Sequence, residues 1–261
     1  MARLVNSKYE IGINAVAEDL RVVVLSDFHS RVYSRIDGII ELTRAQNPDI
    51  VLMPGDIFER LDGSRREWKI AGYELIRQIS EFAPVFYSIG NHENGGVHSS
   101  NLLKWKRLGS ISKYYDESEL SKIAESGATV LDDEFVVLNG IAIGGLTSGI
   151  INEGHLPHLD WLDRFCAHDG SKILLCHHPE YYERYLKGKS IDLIVSGHAH
   201  GGQWRLFGRG IYAPGQGLFP KYTSGVHDGR FVISRGLKPA RYVPRLFNPP
   251  EIVTIDLKFK K

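Results

Sequence analysis

The sequence contains little of what marks a secreted or membrane-spanning protein. Its 261 residues include only two cysteines, too few for a disulfide framework, so we expect both thiols to be reduced. No apolar run approaches the roughly 20 residues that a membrane-spanning helix needs. Residues 1–10 also lack the apolar stretch of a signal peptide. These absences predict a cytoplasmic protein without a transmembrane segment, and they leave peripheral contact with a membrane open.

Acidic residues are scarce towards the end of the chain. Residues 201–261 contain eleven Lys and Arg against three Asp and Glu, a net +8, so residues 1–200 carry −7 of the total charge of +1. An acidic part of this kind suits cation binding. The basic end is either a solvated tail or a surface that holds an anionic substrate through Arg205, Lys221, Arg235 and Arg241. The overall charge argues against a nucleic-acid partner, which needs a markedly basic surface.

The pattern of apolar residues predicts a single domain over residues 1–261. Hydrophobic residues make up 43% and charged residues 24%, as in ordinary globular proteins. Helical periodicity over residues 35–46 and 67–82 alternates with short aliphatic runs in the first half, and the second half is rich in strands. We therefore expect an α/β (α+β) fold of two mixed sheets packed face to face with helices outside.

Several expectations concern how the strands pair. An opening strand at residues 9–13 is predicted to pair with the strand at residues 22–25, because its apolar residues alternate. Three further strands, at residues 129–131, 135–138 and 141–145, are predicted to follow one another as antiparallel neighbours with tight turns between them.

Two loops and one helix start complete the local predictions. Residues 94–115 lack periodicity and are predicted to form a long loop, a candidate lid with a helix at residues 102–108. Residues 147–158 are predicted to form a second loop. Asp116 and Glu119 have the spacing of a capping box at the start of a helix over residues 116–126.

Metal-binding residue types follow five short apolar runs along the chain. The residues concerned are Asp27 and His29, then Asp56, then Asn91, His92 and Glu93, then His177 and His178, and finally His198 and His200. Five strands that each end in such side chains are hard to explain by packing. Because ligands bind at the carboxyl ends of strands in open α/β sheets, we expect these residues to converge on one site.

The residue types suit a pair of divalent cations. A two-metal hydrolytic site needs oxygen and nitrogen ligands, with one group shared between ions about 3.5–4 Å apart. A carboxylate suits the shared position, because its two oxygens can reach both ions. Asp27 and His29 are separated by one residue, so in an extended segment their side chains point the same way, and His198 and His200 repeat this spacing.

In order, the motifs read D-x-H, G-D, G-N-H-E, a lone H and G-H-x-H, and they resemble the calcineurin-like metallophosphoesterase superfamily. The resemblance runs from about residue 21 to residue 257. Through residues 197–203, 234–237 and 250–251 it narrows to a bacterial branch of phosphodiesterases similar to YkuE and YaeI. It implies a four-layer α-β-β-α sandwich with two divalent ions, Mn, Fe or Zn. By motif, Asp27, His29, Asp56 and His200 would hold one ion, and Asp56, Asn91, His177 and His198 the other.

The resemblance also implies a bridging role for Asp56 and a catalytic role for His92. A water or hydroxide between the ions would be the nucleophile, and His92 would protonate the leaving oxygen or stabilise the transition state. His177 is favoured as the ligand over His178, which is expected to point to the opposite face of its strand. Glu93 either orients His92 or caps the segment that follows.

Three further residues are candidates for substrate binding. Gly201 and Gly202 are expected to let the backbone approach a phosphate, with a plain turn as the alternative. Arg235 is expected to contact the anionic substrate.

The predicted function is metal-dependent hydrolysis of a phosphodiester or pyrophosphate bond in a small-molecule or lipid-linked substrate. A phosphomonoesterase acting on protein is the first alternative, although protein phosphatases read G-D-x-x-D-R-G where this chain ends the motif with Leu61. A nuclease and a non-catalytic scaffold are the remaining alternatives. The scaffold is the least favoured, because none of the expected ligands is missing.

Overall fold

The structure is a computed structural model that describes residues 3–13, 19–30, 36–59, 61, 69–94, 115–149, 157–238 and 245–259. Residues 95–114 of the predicted lid, with its predicted helix, lie outside the described residues. The same is true of residues 150–156 in the second predicted loop and of Arg241.

Four α-helices and sixteen strands are described. The helices are α1 (Ile36–Arg44), α2 (Ile70–Ser80), α3 (Glu117–Glu125) and α4 (Leu162–Cys166), with a π-helical turn at Tyr182–Leu186 and a 3-10 turn at His200–Gly202. The first eight strands are β1 (Val5–Ile13), β2 (Leu20–Val24), β3 (Ile50–Pro54), β4 (Val85–Ser88), β5 (Ala128–Leu131), β6 (Glu134–Leu138), β7 (Ile141–Leu146) and β8 (Ser171–Cys176). The others are β9 (Leu193–Ser196), β10 (Arg205–Leu206), β11 (Arg209–Gly210), β12 (Tyr212–Ala213), β13 (Gly217–Leu218), β14 (Gly225–His227), β15 (Phe231–Ile233) and β16 (Glu251–Phe259).

The first sheet has the order β1-β16-β2-β3-β4-β5. Strands β2 to β5 are parallel neighbours, as expected for buried aliphatic runs linked by helices. The predicted pairing of the opening strand was wrong, because β16 lies between β1 and β2, parallel to the first and antiparallel to the second. Alternation of apolar residues identifies a strand with one buried face, but it carries no information about the neighbouring strand.

The second sheet has the order β14-β15-β9-β8-β7-β6. Its central strands are parallel, and β6 and β14 are antiparallel at its two edges. The predicted three-strand meander was wrong at its first step. Strand β5 pairs with β4 in the first sheet, and the chain crosses to the second sheet at Asp132 and Asp133 before the β6–β7 hairpin forms.

The two sheets pack face to face with helices outside, which confirms the predicted four-layer sandwich. An aliphatic core that includes Val22, Leu52, Ile173 and Val195 fills the space between the sheets. Helices α1, α2 and α3 cover the outer face of the first sheet, and α4 with the π-helical turn covers the second. No helix in the described ranges is long and apolar enough to cross a lipid bilayer.

Two small hairpins follow the 3-10 turn. Strand β10 pairs with β11, and β12 pairs with β13. The chain then returns to the second sheet through β14. These hairpins therefore lie beside the loop that carries His198 and His200.

Candidate metal centre

The structure brings the predicted metal ligands together at one end of the sandwich. They follow the carboxyl ends of β2, β3 and β4 in the first sheet and of β8 and β9 in the second, and all are buried. Four groups have candidate ligand atoms within 4.8 Å of one another: Asp27, His29 and His200; Asp27, Asp56 and His177; His29, Asp56 and His92; and His177, His178 and His198. Asp56 belongs to two of these groups and connects them.

Most of these residues have a left-handed backbone, which the sequence did not predict. The φ angles are 55° at Asp27, 54° at His29, 54° at Asp56, 65° at His198 and 46° at His200. The expectation that Asp27 and His29 lie in an extended segment was therefore wrong. Such a backbone costs roughly 1–2 kcal/mol at a residue with a β-carbon, and clusters of such residues are typical of functional sites.

Asp27 is held by groups from both sheets. The backbone N–H of His198 donates to its carboxylate, at 3.0 Å from Oδ1 and 3.2 Å from Oδ2. The hydroxyl of Ser26 donates to Oδ2 at 2.6 Å. A β-carbon at Gly197 would lie 2.4 Å from Oδ2, so the glycine is needed for this approach.

Asp56 has one oxygen engaged by the backbone and one directed at imidazoles. Its Oδ1 accepts the N–H of His92 at 2.9 Å. Its Oδ2 lies 3.1 Å from Nε2 of His177, 3.9 Å from Nε2 of His92 and 4.0 Å from Nε2 of His29. This oxygen is buried and has no donor in hydrogen-bond geometry among the described residues. A buried carboxylate oxygen facing several imidazole nitrogens is an arrangement that a cation would satisfy.

Two imidazoles are oriented by backbone carbonyls. Nδ1 of His177 lies 2.7 Å from the carbonyl oxygen of Pro54, and Nδ1 of His200 lies 2.9 Å from that of Lys238. Each Nδ1–H therefore donates to a carbonyl, and each Nε2 faces the cluster. Nε2 of His198 is buried without a hydrogen-bond partner in the described part of the chain. This is the arrangement by which proteins orient histidine ligands of a metal, so the donor set fits divalent ions.

Glu93 has a role that differs from both sequence alternatives. Its buried carboxylate accepts the backbone N–H groups of Asp56 at 2.8 Å, Phe58 at 2.9 Å and Gly90 at 2.7 Å. It therefore joins the turn after β3 to the turn after β4. A β-carbon at Gly90 would lie 2.2 Å from Oδ1 of Asp56, which explains the glycine there. Burial and the nearby Asp56 raise the pKa of Glu93 to about 7.

The sequence predicted that His178 points to the opposite face of its strand, but the residue lies inside the cluster. Its Nε2 is 3.3 Å from Oδ1 of Asn91, and its ring centroid is 4.4 Å from that of His198. Behind it, Oε1 of Glu180 lies 4.0 Å from Nδ1. The sequence reasoning missed Glu180 entirely. The sequence signal that could have identified Glu180 is its position directly after His177, His178 and Pro179.

Burial and charge set opposite pKa shifts among the histidines. Burial disfavours the charged ring of His177, but the carboxylates of Asp56, Asp27 and Glu93 outweigh this effect and raise its pKa to about 10. Burial lowers the pKa of His92 and of His200 to about 4. Burial and the neighbouring imidazoles also hold the pKa of His198 well below its usual range. Neutral imidazoles are the form that ligates metals.

His92 lies at the opening of the cluster, and its side chain is 19% exposed. Its ring makes an edge contact with the ring of His29, with centroids 4.4 Å apart. Its Nδ1 is 3.8 Å from Oε1 of Glu59, and Nδ1 of His29 is 3.5 Å from Oε2 of the same residue. Sequence reasoning did not single out Glu59. The structure shows it supporting both histidines from the turn after β3.

The three candidate substrate residues lie in different environments. Gly201 and Gly202 have φ angles of 66° and 77°, and a β-carbon on either would collide with Asn248 or Gly210. Packing of the turn therefore suffices to explain both glycines. The guanidinium of Arg235 donates to Glu251 at 2.5 Å and to Ser7 at 3.3 Å, so it is committed to an ion pair between strands and not to the cluster.

Comparison with known proteins identifies the family. A sequence model of the calcineurin-like phosphoesterases matches residues 20–202, which include every predicted ligand. The chain belongs to the calcineurin-like phosphoesterase family, and its fold is that of a metallophosphoesterase.

Among individual relatives, the uncharacterized metallophosphoesterase YkuE of Bacillus subtilis (strain 168) is 25% identical over 92% of this chain and 80% of its own length. A Bos taurus transmembrane protein with a metallophosphoesterase domain is 27% identical over 70% of this chain, which spans only 41% of that relative. The structure of Haemophilus influenzae NAD nucleotidase matches with a TM-score of 0.46 and 16% identity, covering 72% of this chain and 39% of that one.

Proposed function

We propose that residues 1–261 form one metallophosphoesterase domain that hydrolyses a phosphodiester or pyrophosphate bond at two divalent metal ions. Calcineurin-like phosphoesterases use divalent metal ions. One ion would be held by Asp27, His29, Asp56 and His200. The other would be held by Asp56, Asn91, His177 and His198.

The observation that carries the proposal is the position of Oδ2 of Asp56. This buried oxygen has no donor in hydrogen-bond geometry among the residues that the structure describes, and it faces imidazoles from both sheets, His177 at 3.1 Å and His29 at 4.0 Å. A single carboxylate between two ligand groups is what a bridged pair of ions requires. The mixed oxygen and imidazole donors suit Mn²⁺, Fe or Zn²⁺.

The ions would supply a water of lowered pKa as the nucleophile and would neutralise the phosphoryl oxygens. The protein's own groups do the rest. The N–H of His198 and the hydroxyl of Ser26 hold Asp27 in place, and the N–H of His92 holds Asp56. We propose that Nε2 of His92 protonates the leaving oxygen or stabilises the transition state. The position of His92 at the opening of the cluster, with its Nδ1 3.8 Å from Glu59, supports this role.

The substrate class is open to a direct test. Purified protein would be treated with a chelator, reloaded with Mn²⁺, Fe²⁺ or Zn²⁺, and assayed on bis-p-nitrophenyl phosphate and on p-nitrophenyl phosphate. We expect hydrolysis only after metal is returned, with the diester cleaved faster. Faster cleavage of the monoester would favour a phosphomonoesterase, and activity that survives chelation would contradict the metal mechanism.

A further inference from the structure

Exposed apolar side chains are concentrated on one face of the described structure. Of the ten large apolar side chains that are exposed there, eight come from the two small hairpins and the segment beside them. They are Trp204, Leu206, Phe207, Tyr212, Leu218, Phe219, Leu246 and Phe247. We call them the aromatic face. Concentrations of this kind mark a contact with another molecule or a membrane, whereas single exposed apolar residues need no explanation.

Backbone hydrogen bonds join the segments that carry these residues. The N–H of Arg205 donates to the carbonyl of Leu246 at 3.0 Å. The N–H of Ile211 donates to the carbonyl of Trp204 at 2.9 Å, and the N–H of Phe219 donates to the carbonyl of Ile211 at 2.8 Å. The three chain segments are therefore adjacent.

Three phenylalanines of the aromatic face have a left-handed backbone. The φ angles are 50° at Phe207, 52° at Phe219 and 54° at Phe247. Phe207 is also fully exposed, in the two-residue turn that joins β10 to β11. Asn or Gly is the residue that such a turn favours, and a bulky residue there costs stability. Neither local conformation nor burial explains these phenylalanines, so contact with an outside partner is the remaining explanation.

The charged residues in the sequence of the two hairpins are all basic, although Lys221 is paired with Glu183 at 2.7 Å. No Asp or Glu occurs between Gly201 and His227, and that stretch contains Arg205, Arg209 and Lys221. Arg209 is exposed on β11, in register with Leu206. A second copy presenting the same basic face would repel the first. Aromatic side chains bordered by arginine are the combination that lies in the interface of a bilayer with anionic headgroups.

We propose that the aromatic face binds the surface of an anionic lipid bilayer. Phe207, Phe219 and Phe247 enter the headgroup region, and Arg209 contacts lipid phosphates. The face is attached to the metal-site loop, because the side-chain amide of Asn248 donates to the carbonyls of His200 at 2.7 Å and of Gln203 at 3.1 Å. Binding would therefore hold that loop near the membrane. The inference rests on exposure, backbone geometry and charge, and it does not require the proposed hydrolase activity.

Co-sedimentation with vesicles tests the proposal. The full chain would be mixed with phosphatidylcholine vesicles with and without phosphatidylglycerol, over a range of salt concentrations. We expect the wild type to sediment with the anionic vesicles and to be released by salt. Replacing Phe207, Phe219 and Phe247 together by Ser should weaken the partition by roughly tenfold or more. Arg209→Glu should weaken it about fivefold or more on the anionic vesicles only.

Val137→Ser is the matched control, because Val137 is an exposed apolar residue on β6, outside the aromatic face. It should bind as the wild type does. Circular dichroism would show whether the triple variant folds. If it does not fold, Arg209→Glu, a substitution at the surface, still tests the proposal. Two results would overturn the proposal. One is a wild type that stays in the supernatant with both vesicles. The other is a wild-type dimer in light scattering that Phe207→Ser converts to a monomer, which would make a second copy the occupant.

Discussion

The two sheets contribute different chemistry to the metal centre. Loops of the first sheet supply both carboxylates and the amide, and loops of the second sheet supply only imidazoles. The first group is Asp27, His29, Asp56, Asn91 and His92, and the second is His177, His178, His198 and His200. The negative charge of the site therefore comes from one sheet, and most of its nitrogen donors come from the other.

Each sheet also orients ligands that belong to the other. Asp27, from the first sheet, accepts the N–H of His198, from the second. His177, from the second sheet, is oriented by the carbonyl of Pro54, from the first. Neither half of the site can reach its geometry alone. The comparison teaches that metal binding and the packing of the two sheets should be coupled.

The largest effect is expected at the carboxylate that both halves share. Asp56→Asn keeps the shape of the side chain but removes its charge, so occupancy of both metal positions should fall and turnover should drop by roughly 10³-fold or more. Elemental analysis and diester hydrolysis would measure this. Asp160→Asn, which changes an exposed carboxylate outside the cluster, is the control. Loss of only one metal ion would contradict a shared role for Asp56.

Next in size is the effect of removing His92, the proposed proton donor, which lies on the first-sheet side. His92→Ala should keep the bound metal and lose about 10²–10⁴-fold in turnover on the diester. His168→Ala, at a histidine outside the cluster, is the matched control. If the variant hydrolyses the diester at the wild-type rate, His92 has no part in the reaction. If metal content falls as well, His92 belongs among the ligands.

Glu180 provides a pH-dependent test on the second-sheet side. Burial raises the pKa of this carboxyl from 4.5 to about 7. Below pH 4.5 the group is neutral in both the folded and the unfolded chain, and as the pH rises to 7 only the folded chain holds the proton. Folding therefore loses stability over this range, and Glu180→Gln should be more stable than the wild type by about 3 kcal/mol at pH 8.

Urea unfolding of the metal-free protein at several pH values would measure the difference. It should vanish near pH 4.5 and be complete above pH 7. Glu183→Gln, at a more exposed carboxylate near the same π-helical turn, should not reproduce this profile. A constant difference at all pH values would show that Glu180 acts through packing and not through its charge.

The smallest effect on metal binding is expected for His178, which contacts Asn91 across the two sheets. His178→Ala removes the nitrogen that lies 3.3 Å from Oδ1 of Asn91. Since residues that support a metal ligand typically change affinity 10- to 100-fold, we expect a loss of about tenfold in metal affinity. Metal titration with a fluorescent competitor would measure it. A loss as large as that of Asp56→Asn would make His178 a ligand itself.

The sequence predicted the four layers and the convergence of the metal-binding motifs, because strand periodicity and ordered motifs are both local. The predictions failed where contacts between segments far apart in the sequence determine the structure. Asp116 caps α3 through the N–H of Ser118 at 2.9 Å, as predicted. Glu119 does not complete the capping box, because it is buried and pairs with Lys69 at 3.2 Å. Arg235 likewise forms an ion pair with Glu251 on β16.

The backbone at the site was also beyond prediction. Spacing alone suggested extended segments around Asp27 and His198, yet both residues have positive φ angles. Contacts that no short window of sequence contains stabilise the turns of the site, such as the N–H groups of Asp56 and Phe58 that donate to Glu93. Sequence patterns indicated which residues meet, and tertiary contacts determined how they face one another.

Strand β16 has a consequence for the order of assembly. It lies between β1 and β2, so among the described strands β1 pairs only with a strand that is very far from it in sequence. Contacts between residues so far apart in sequence form slowly, so β1 should join the first sheet late when the unfolded protein refolds.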